Sequence, residues 1–235
     1  MEKFISGFNQ SFIEGDRWLM YVKGIGVTLE VAAVALLLGI VLGVIVAIVR
    51  TLHDQQRPGQ KHALLEVINK IAQLYTTVIR GTPLMVQLLI MYFVIFANTR
   101  NAVGVAMLTF GINSGAYVAE IIRGGIMSVD KGQMEAARSL GLSYVPAMRF
   151  VVIPQAVKNI LPALGNELIA LLKDTSLVTV IGVRDLTKAA QLIQGKTYQA
   201  LFPFVGIAIV YLLMVMIIAA LIGVLERRLA ASDRR

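Results

Sequence analysis

Long apolar stretches, each bounded by polar or charged residues, dominate the chain. Residues 24–49 are almost uninterrupted hydrocarbon closed by Arg50, and residues 200–225 repeat this pattern near the other end. A helix needs roughly 20 mainly apolar residues to span a bilayer. Both stretches are therefore predicted to be membrane-spanning helices.

A third apolar stretch, residues 63–97, has helical spacing with a polar break near its middle. The break consists of four consecutive residues: Arg80, Gly81, Thr82 and Pro83. The part after the proline is short for a span on its own, and a proline kinks a helix without always ending it. We therefore predict one kinked helix with these four residues as its hinge.

Two further apolar stretches, residues 102–122 and 150–172, contain several polar side chains. They are predicted to be spanning helices that face protein or water rather than lipid. Residues 51–62 and 98–101 are polar connections, and residues 177–183 are a candidate re-entrant or interfacial helix. The pattern as a whole predicts an all-α integral membrane protein with about five spans.

The composition agrees with a single transmembrane domain covering residues 1–235. With 57% hydrophobic residues and a mean hydropathy of +0.75, the chain has more apolar surface than one soluble core uses. It has no cysteine, which excludes disulfides and thiolate chemistry. His53 and His62 are its only histidines and lie in a polar connection, so we assign no metal site and no catalytic residue.

The net charge of +8 does not indicate a nucleic-acid-binding protein. Charged residues make up only 15% of the chain, and no basic run alternates with aromatic residues. Lys and Arg instead collect at the predicted membrane edges, beside lipid. With the C-terminus inside, fourteen of them lie on the cytoplasmic side and eight on the other. The positive-inside rule then favours an outside N-terminus and makes residues 130–149 a cytoplasmic loop.

The polar segment that covers residues 130–154, hereafter the docking segment, has features of folded structure. The helix formers Glu135, Ala136 and Ala137 are followed by Gly141, which suits a left-handed helix cap. Four of its side chains have so little bulk that another protein can approach closely: Ala136, Ala137, Ser139 and Gly141. We interpret the segment as a docking element for another protein.

The docking segment resembles the EAA loop of ABC importer permeases. The motif's spacing is kept by Glu135 to Ala137, three further residues, Gly141, and then Val151 to Pro154. Val151 and Ile153 replace the isoleucine and leucine that are usual in the motif. Flanking stretches resemble the polar amino acid branch of the family, and the resemblance extends over roughly residues 24–225. These stretches are residues 78–83, 116–126 and 172–177.

The resemblance implies a type I (MetI-like) importer permease in the bacterial inner membrane. It implies pairing with a second copy or a homologue, with the translocation path at the interface. A cytoplasmic ATP-binding subunit would hold the ATP and Mg²⁺, with no cofactor in this chain, and an extracytoplasmic amino-acid-binding protein would deliver the cargo. By the same likeness, the residues that couple to the ATPase are Gln133, Glu135, Ala136, Ala137, Ser139 and Gly141.

One short pattern is similar to part of a nucleotide-binding loop. Gly195, Lys196 and Thr197 match the end of a Walker A sequence, but that sequence requires a glycine where this chain has Ala190. The pattern is therefore incomplete, and we do not expect the chain itself to hydrolyse ATP.

Polar residues inside predicted spans are candidates for the substrate path, because ionisable groups are costly at membrane depth. Asn113, Tyr117 and Glu120 are spaced by four and three residues, which places them on one helical face. Glu120 with Asn113 suits the ammonium group of an amino acid. Further polar candidates lie in and just after the fourth predicted span: Asn166, Glu167, Lys173 and Asp174.

Other interpretations stay open at this point. Polar residues in helix bundles also bond to one another without touching a ligand. Glu120 is equally able to pair with Arg123 or Lys173, and Lys173 with Asp174 is either a gate or an ordinary interfacial ion pair. The whole chain is alternatively an ion-gradient-driven transporter or channel, although such folds usually contain inverted repeats. An ABC permease for another small organic ion is a further alternative.

Overall fold

The computed structural model describes residues 2–54, 56 and 62–231, and these are helical throughout, without β-strands. The α-helices are α1 (Glu2–Phe12), α2 (Trp18–Asp54), α3 (Ala63–Gly81), α4 (Leu84–Ile90), α5 (Ala102–Met127), α6 (Lys131–Ser139), α7 (Tyr144–Ala147), α8 (Ile153–Asp174), α9 (Leu186–Thr197) and α10 (Leu201–Ala231). Short 3₁₀ or π-helical turns connect several of them: Glu14–Asp16, Met91–Ile95, Met148–Val152 and Thr175–Ile181.

Within the described residues, three helices are long and apolar enough to cross a membrane, namely α2, α5 and α10. A fourth span results if α3 and the following stretch Leu84–Ile95 are taken together as one broken span. Helix α8 has 22 residues, which at 1.5 Å per residue makes about 33 Å. That length suits a bilayer core of about 30 Å, although Lys158, Asn159 and Glu167 make α8 more polar than the other spans.

The structure corrects the predicted kinked helix over residues 63–97. Helix α3 ends at Gly81 and α4 begins at Leu84, so there are two helices rather than one. Thr82 between them is extended, with φ −119° and ψ 147°. A residue that precedes proline is pushed towards this conformation because the proline ring collides with its backbone, so Pro83 explains the break.

Other predicted boundaries are close to those of the structure. Helix α2 continues to Asp54, so the first part of the predicted connection over residues 51–62 is helical, while residues 57–61 lie outside the described part of the chain. The short apolar piece predicted over residues 177–183 is the 3₁₀ turn Thr175–Ile181, which Gly182 ends with φ +82°. Helix α8 starts three residues later than predicted, after a π-helical turn.

The chain divides into two compact units. The first unit comprises Met1–Leu36, Leu84–Gly111 and Leu168–Ile218. Its main core is built on buried aliphatic and aromatic side chains, among them Val31, Phe110, Leu172 and Val178. A second core surrounds α9 and includes Tyr21, Leu186, Ala190, Ile193 and Ile207.

The second unit comprises Leu37–Pro83, Ile112–Glu167 and Ala219–Arg235. Its packing relies on glycines in α2 that lie directly against α5. A Cβ atom added at Gly39 would be 2.7 Å from Ser114 Oγ, and one at Gly43 would be 2.5 Å from Val118 Cγ1. Gly39 and Gly43 are two small residues four positions apart. Such a pair allows close contact between helices, as it commonly does in lipid. The second unit also contains the docking segment.

Candidate functional site

Helix α6 is the centre of the docking segment, and both of its ends are capped. At the start, the Asp130 carboxylate accepts a hydrogen bond from Gly132 N at 2.7 Å. At the end, Gly141 has φ +90°. Leu142 N donates to Ala137 O at 3.2 Å and Gly141 N donates to Arg138 O at 3.0 Å. This pair of bonds is a Schellman motif, and the predicted left-handed cap at Gly141 is confirmed.

Most of the predicted coupling residues are on the outside of α6 and its cap. Ala137 is the exception, because only 4% of it is exposed and its methyl group packs inside the unit. The exposed residues are Gln133, Glu135, Ala136, Ser139 and Gly141. The surface that a partner can contact is therefore polar, has little side-chain bulk, and lies on one well-formed short helix.

Large apolar side chains next to α6 are also exposed, and the sequence analysis did not identify them. Leu140 is 86% exposed, and Val145 and Phe150 are exposed to 69% and 66%. Apolar groups this accessible in a polar segment are typical of a surface that another protein covers. The signal in the sequence is the run of apolar residues just after the helix cap, in a segment that is otherwise polar.

A cavity of about 460 Å³ adjoins the exposed face of α6. Its lining includes Met134, Glu135, Arg138, Tyr144 and Met148. The docking segment thus offers a protruding helix and, directly beside it, a recess with both charged and apolar walls.

One hydrogen bond ties the docking segment to α8, and a second ties the residue after α5 to α8. Gln155 Nε2 donates to Gln133 Oε1 at 3.2 Å, and Asn159 Nδ2 donates to Ser128 Oγ at 2.8 Å. Close to them, a Cβ atom at Gly125 would be 2.3 Å from Ile160 Cγ1, so α5 and α8 are in direct contact here. Helix α6 is therefore bonded to α8, and α8 is in turn in contact with α5.

The three residues predicted to share one face of α5 have different surroundings. Asn113 is buried, whereas Tyr117 is 38% exposed. The guanidinium of Arg80 lies over the Tyr117 ring, 5.4 Å from its centroid, as in a cation–π contact. The structure thus brings a predicted hinge residue together with a predicted path residue.

Glu120 is held between two arginines. Arg50 Nη1 donates to one carboxylate oxygen of Glu120, and Arg123 Nε is 3.4 Å from the other. Arg123 also reaches Asp54 at 3.6 Å. Of the two alternatives for Glu120, the pair with Arg123 is therefore present, and Arg50 is a further partner that the sequence analysis missed. Charge-assisted bonds of this kind are stronger than neutral ones.

Further charged contacts join the end of α2 to the start of α3. His53 Nε2 lies 2.9 Å from Glu66 Oε2, and Lys70 lies 3.7 Å from the other oxygen of Glu66. His53 was assigned no role from the sequence, but in the structure it links the end of α2 to α3. Together with Arg50 and Glu120, it connects the end of α2 to the start of α3 and to α5.

The remaining path candidates lie in α8. Asn166 is exposed, whereas Glu167 accepts a 2.8 Å hydrogen bond from Ser114 Oγ, and Ser114 is fully buried in α5. Glu167 therefore takes part in helix–helix bonding. Lys173 and Asp174 are in the first unit, where Lys173 is exposed and Asp174 is half-buried.

Asp185 is a buried carboxylate that the sequence analysis did not identify. It caps α9 by accepting hydrogen bonds from Thr187 N at 3.0 Å and Lys188 N at 2.9 Å, and Tyr211 Oη lies 3.5 Å away. Burial raises the pKa of the Asp185 carboxyl, and the two backbone hydrogen bonds act in the opposite direction. The sequence feature that could have identified Asp185 is its position directly before a helix, where an aspartate is favoured as a cap.

The incomplete nucleotide pattern has no phosphate-binding geometry. Gly195, Lys196 and Thr197 form the last turn of α9. A phosphate-binding loop instead precedes a helix and offers the N–H groups of that helix's first turn. At this end of α9 the backbone presents carbonyl oxygens, which disfavour phosphate.

Comparison with known proteins identifies the family. Residues 64–231 match the family described as "Binding-protein-dependent transport system inner membrane component". The chain belongs to this family. It is the transmembrane permease subunit of an ABC importer in the inner membrane, and the ATPase is a separate subunit. Members of the family work with ATPase subunits and binding proteins in general.

Curated relatives cover nearly the whole chain. The putative glutamine transport system permease protein GlnP of Rickettsia bellii (strain RML369-C) is 38% identical over 217 residues, which cover 91% of this chain and 94% of the relative. The arginine transport system permease protein ArtQ of Bacillus subtilis (strain 168) is 36% identical, covering 90% and 93%. The glutamine transport system permease protein GlnP of Escherichia coli (strain K12) is 36% identical, covering 89% and 93%.

Solved structures agree with the predicted architecture. A structure described as "Crystal structure of an amino acid ABC transporter with histidines" superposes with a TM-score of 0.80 at 43% identity, covering 89% of this chain and 94% of that chain. The MetNI methionine ABC transporter in an inward-facing conformation gives a TM-score of 0.75 at 18% identity, covering 92% and 99%, which shows a common fold. The all-α, MetI-like fold class is confirmed.

Proposed function

We propose that this permease imports polar amino acids and is driven by an ATPase that binds the docking segment. The cargo class is supported by the names of its relatives, which include permeases of glutamine and arginine transport systems. A solved relative that is 43% identical is likewise described as an amino acid ABC transporter. ATP and Mg²⁺ belong to the ATPase, and this chain supplies no cofactor.

The exposed, doubly capped helix α6 is the observation that carries the proposal. A short helix is only marginally stable on its own, so capping at both ends keeps it formed before a partner binds. Because it is already ordered, binding does not have to order it, which favours affinity. Glu135 and Ala136 then present a polar face with little bulk, and Leu140 and Val145 add apolar area beside it.

In this arrangement, closure of the ATPases moves α6, and α6 moves α5 and α8. The hydrogen bond between Gln133 and Gln155 links α6 to α8, and the bond between Ser128 and Asn159 links the end of α5 to the same helix. A rigid-body displacement of packed helices is a common way in which transporters change conformation. The break at Thr82 and Pro83 is the proposed hinge.

The substrate path runs along α5 and α8, at the interface with a second permease copy or a homologue. Tyr117 and Asn166 are its best-placed residues, since both are accessible from outside this chain. Glu120 and Glu167 contribute charge beside the path while bonded to other helices. An extracytoplasmic binding protein delivers the amino acid, and we propose that the N-terminus is outside and the C-terminus inside.

The first test replaces Glu135 by arginine, which reverses one charge on the exposed face of α6. We expect normal membrane insertion and about tenfold weaker binding of the ATPase subunit, since a factor of ten corresponds to about 1.4 kcal/mol. Pull-down of the ATPase by the detergent-solubilised permease, titrated with increasing ATPase, measures the change. Amino-acid-stimulated ATP hydrolysis in liposomes should fall with it.

Asn98→Arg is the matched control, because Asn98 is also exposed but lies in the turn on the proposed outer side. It introduces an arginine as well and should leave ATPase binding unchanged. If Glu135→Arg retains wild-type ATPase affinity, or if both variants lose it equally, α6 is not the docking helix.

A further inference from the structure

Helix α1 (Glu2–Phe12) is a short N-terminal helix that is fixed to the first unit along a narrow face. Gly7 and Ser11 are four residues apart, and both are buried. A Cβ atom at Gly7 would be 2.5 Å from Phe202 Cε2, so α1 lies directly on the start of α10. Tyr21 Oη also donates a hydrogen bond to Ser11 O at 3.5 Å, which holds α1 against α2.

A second face of α1 is apolar and uncovered. Phe4, Ile5 and Phe8 are exposed to 63%, 53% and 45%. These positions occupy one arc of the helix beside the buried face, because Phe8 is four residues after Phe4 and three after Ile5, and residues three and four apart are neighbours on a helix surface. Glu2 and Ser6 are exposed on the opposite side of the helix. Helix α1 is thus amphipathic. The rings of Phe4 and Phe8 each contact one neighbouring ring, Phe202 and Phe12, but much of each of the three large side chains stays accessible.

Further exposed apolar side chains lie at the start of α2, which α1 contacts through the rings of Phe12 and Tyr21, with centroids 5.3 Å apart. Trp18, Leu19 and Val22, at the start of α2, are exposed large apolar side chains as well. Only 33% of the most apolar window of this span is buried within the chain, so most of that window is available to lipid or to a second permease copy. Tryptophan favours the boundary between bilayer and water. The apolar face of α1 therefore lies next to the end of α2 that carries this tryptophan.

Helix α1 is too short to cross that membrane. Its 11 residues make about 16 Å, roughly half of a bilayer core of about 30 Å. An amphipathic helix at this level lies in the plane of the interface, with its apolar face about 5–10 Å deep at the headgroup boundary.

We propose that α1 is an interfacial anchor whose apolar face, formed by Phe4, Ile5 and Phe8, inserts between phospholipids at the membrane surface. The segment contains one acidic and one basic residue. Its attraction to lipid consequently comes from apolar burial and not from net charge. The anchor holds the start of α10 through Phe202 and the start of α2 through Tyr21, at the same depth of the bilayer.

Site-directed spin labelling tests the proposal on the full chain in phosphatidylcholine liposomes, because the natural sequence has no cysteine to remove. Phe8→Cys and Ile5→Cys place the label on the apolar face, and Ser6→Cys is the matched control on the polar face. We expect labels at positions 5 and 8 to be reached by oxygen, which concentrates in lipid. The label at position 6 should be reached by an aqueous nickel chelate.

The ratio of oxygen to nickel accessibility should be at least about threefold higher at positions 5 and 8 than at position 6, given an insertion depth of about 5–10 Å. Adding phosphatidylglycerol should leave this ratio unchanged. Two results would overturn the proposal. One is equal nickel accessibility at all three positions, which means a helix in water. The other is exclusion of both reagents at positions 5 and 8, which means a face covered by another protein.

Discussion

Glu120 shows how one side chain gains a different role once its neighbours are known. From the sequence, its place on the face shared with Asn113 and Tyr117 suggested contact with a substrate ammonium group. In the structure its carboxylate is bonded to Arg50 and Arg123, two cations from different helices. A carboxylate with two such partners is first of all part of the link between α2 and α5.

This link predicts strong coupling between Arg50 and Glu120. The side chains are only 15% and 23% exposed, so removing either charge leaves its partner poorly solvated and without this bond. We expect Glu120→Gln and Arg50→Gln each to lower the melting temperature of the purified permease. The double variant should be little worse than either single one, with an interaction energy of about 1–3 kcal/mol.

Lys70→Gln with Glu66→Gln is the control cycle. Lys70 is 71% exposed at the side chain and pairs with Glu66 at 3.7 Å, so water screens this pair well. Its interaction energy should stay below about 0.5 kcal/mol. Additive effects at Arg50 and Glu120, or equal couplings in both cycles, would show that the buried link contributes nothing beyond an exposed ion pair.

At the scale of helices, glycine decides which elements can touch. Gly39 and Gly43 bring α2 against α5 because a hydrogen atom takes the place of a side chain at the contact. The sequence showed the pair of glycines, but this spacing is frequent by chance, and only the contact with α5 distinguishes it from a coincidence. Proline has the opposite effect at Pro83, where it ends one helix and starts another.

Substitution of Gly43 by alanine should destabilise the permease. The added Cβ would be 2.5 Å from Val118 Cγ1 and 2.9 Å from Ala119 N, so α2 and α5 must move apart. Overpacking of this kind costs about 1–3 kcal/mol. We expect a lower melting temperature and a lower yield of monodisperse protein in size-exclusion chromatography.

Gly26→Ala tests the same chemical change in the same helix without the contact. A Cβ atom at Gly26 meets nothing within 4 Å. Alanine favours a helix over glycine by about 0.5–1 kcal/mol, so this variant should be as stable as the natural protein or slightly more stable. Equal loss of stability in both variants would mean that helix propensity, and not the contact with α5, explains the glycines.

For the whole molecule, the central prediction concerns orientation in the membrane. From the excess of Lys and Arg we predict that the docking segment is inside the cell and the turn at Asn98 outside. Single cysteines are introduced at Ser139 and at Asn98, both of which are exposed, into a chain that has none. A membrane-impermeant maleimide applied to intact cells should label Asn98→Cys, and should label Ser139→Cys only after permeabilisation.

Each site serves as the control for the other, because both variants carry one exposed cysteine. The reverse pattern would place α6 on the side that has no ATP. It would contradict the proposed coupling even if the fold is unchanged.

Much of the fold was predictable because a bilayer leaves few choices. Apolar stretches of this length become helices, since a backbone in lipid must satisfy its own hydrogen bonds. The cap at Gly141 was predictable for a similar reason, because few residues other than glycine adopt a positive φ at low cost. Both features depend on local chemistry that is already present in the chain.

Contacts between distant residues were not predictable in this way. Arg50 lies 70 positions before Glu120, and Ser114 lies 53 positions before Glu167. Nothing in their local sequence specifies these pairs. Likewise, Ala137 and its neighbour Ala136 have the same side chain, yet one is buried and the other is exposed.

The sequence by itself therefore determined that this protein lies in a bilayer and that it is helical. It also determined the segment through which we propose that it binds an ATPase. Those properties follow from composition, period and spacing, which act over a few residues or over whole stretches. The tertiary structure alone decided that Glu120 is a link between helices, that Leu140 and Val145 are uncovered, and that Phe4, Ile5 and Phe8 of α1 stay exposed in the part of the chain that the structure describes. Such properties depend on which surfaces meet, and surfaces meet only when the chain is folded.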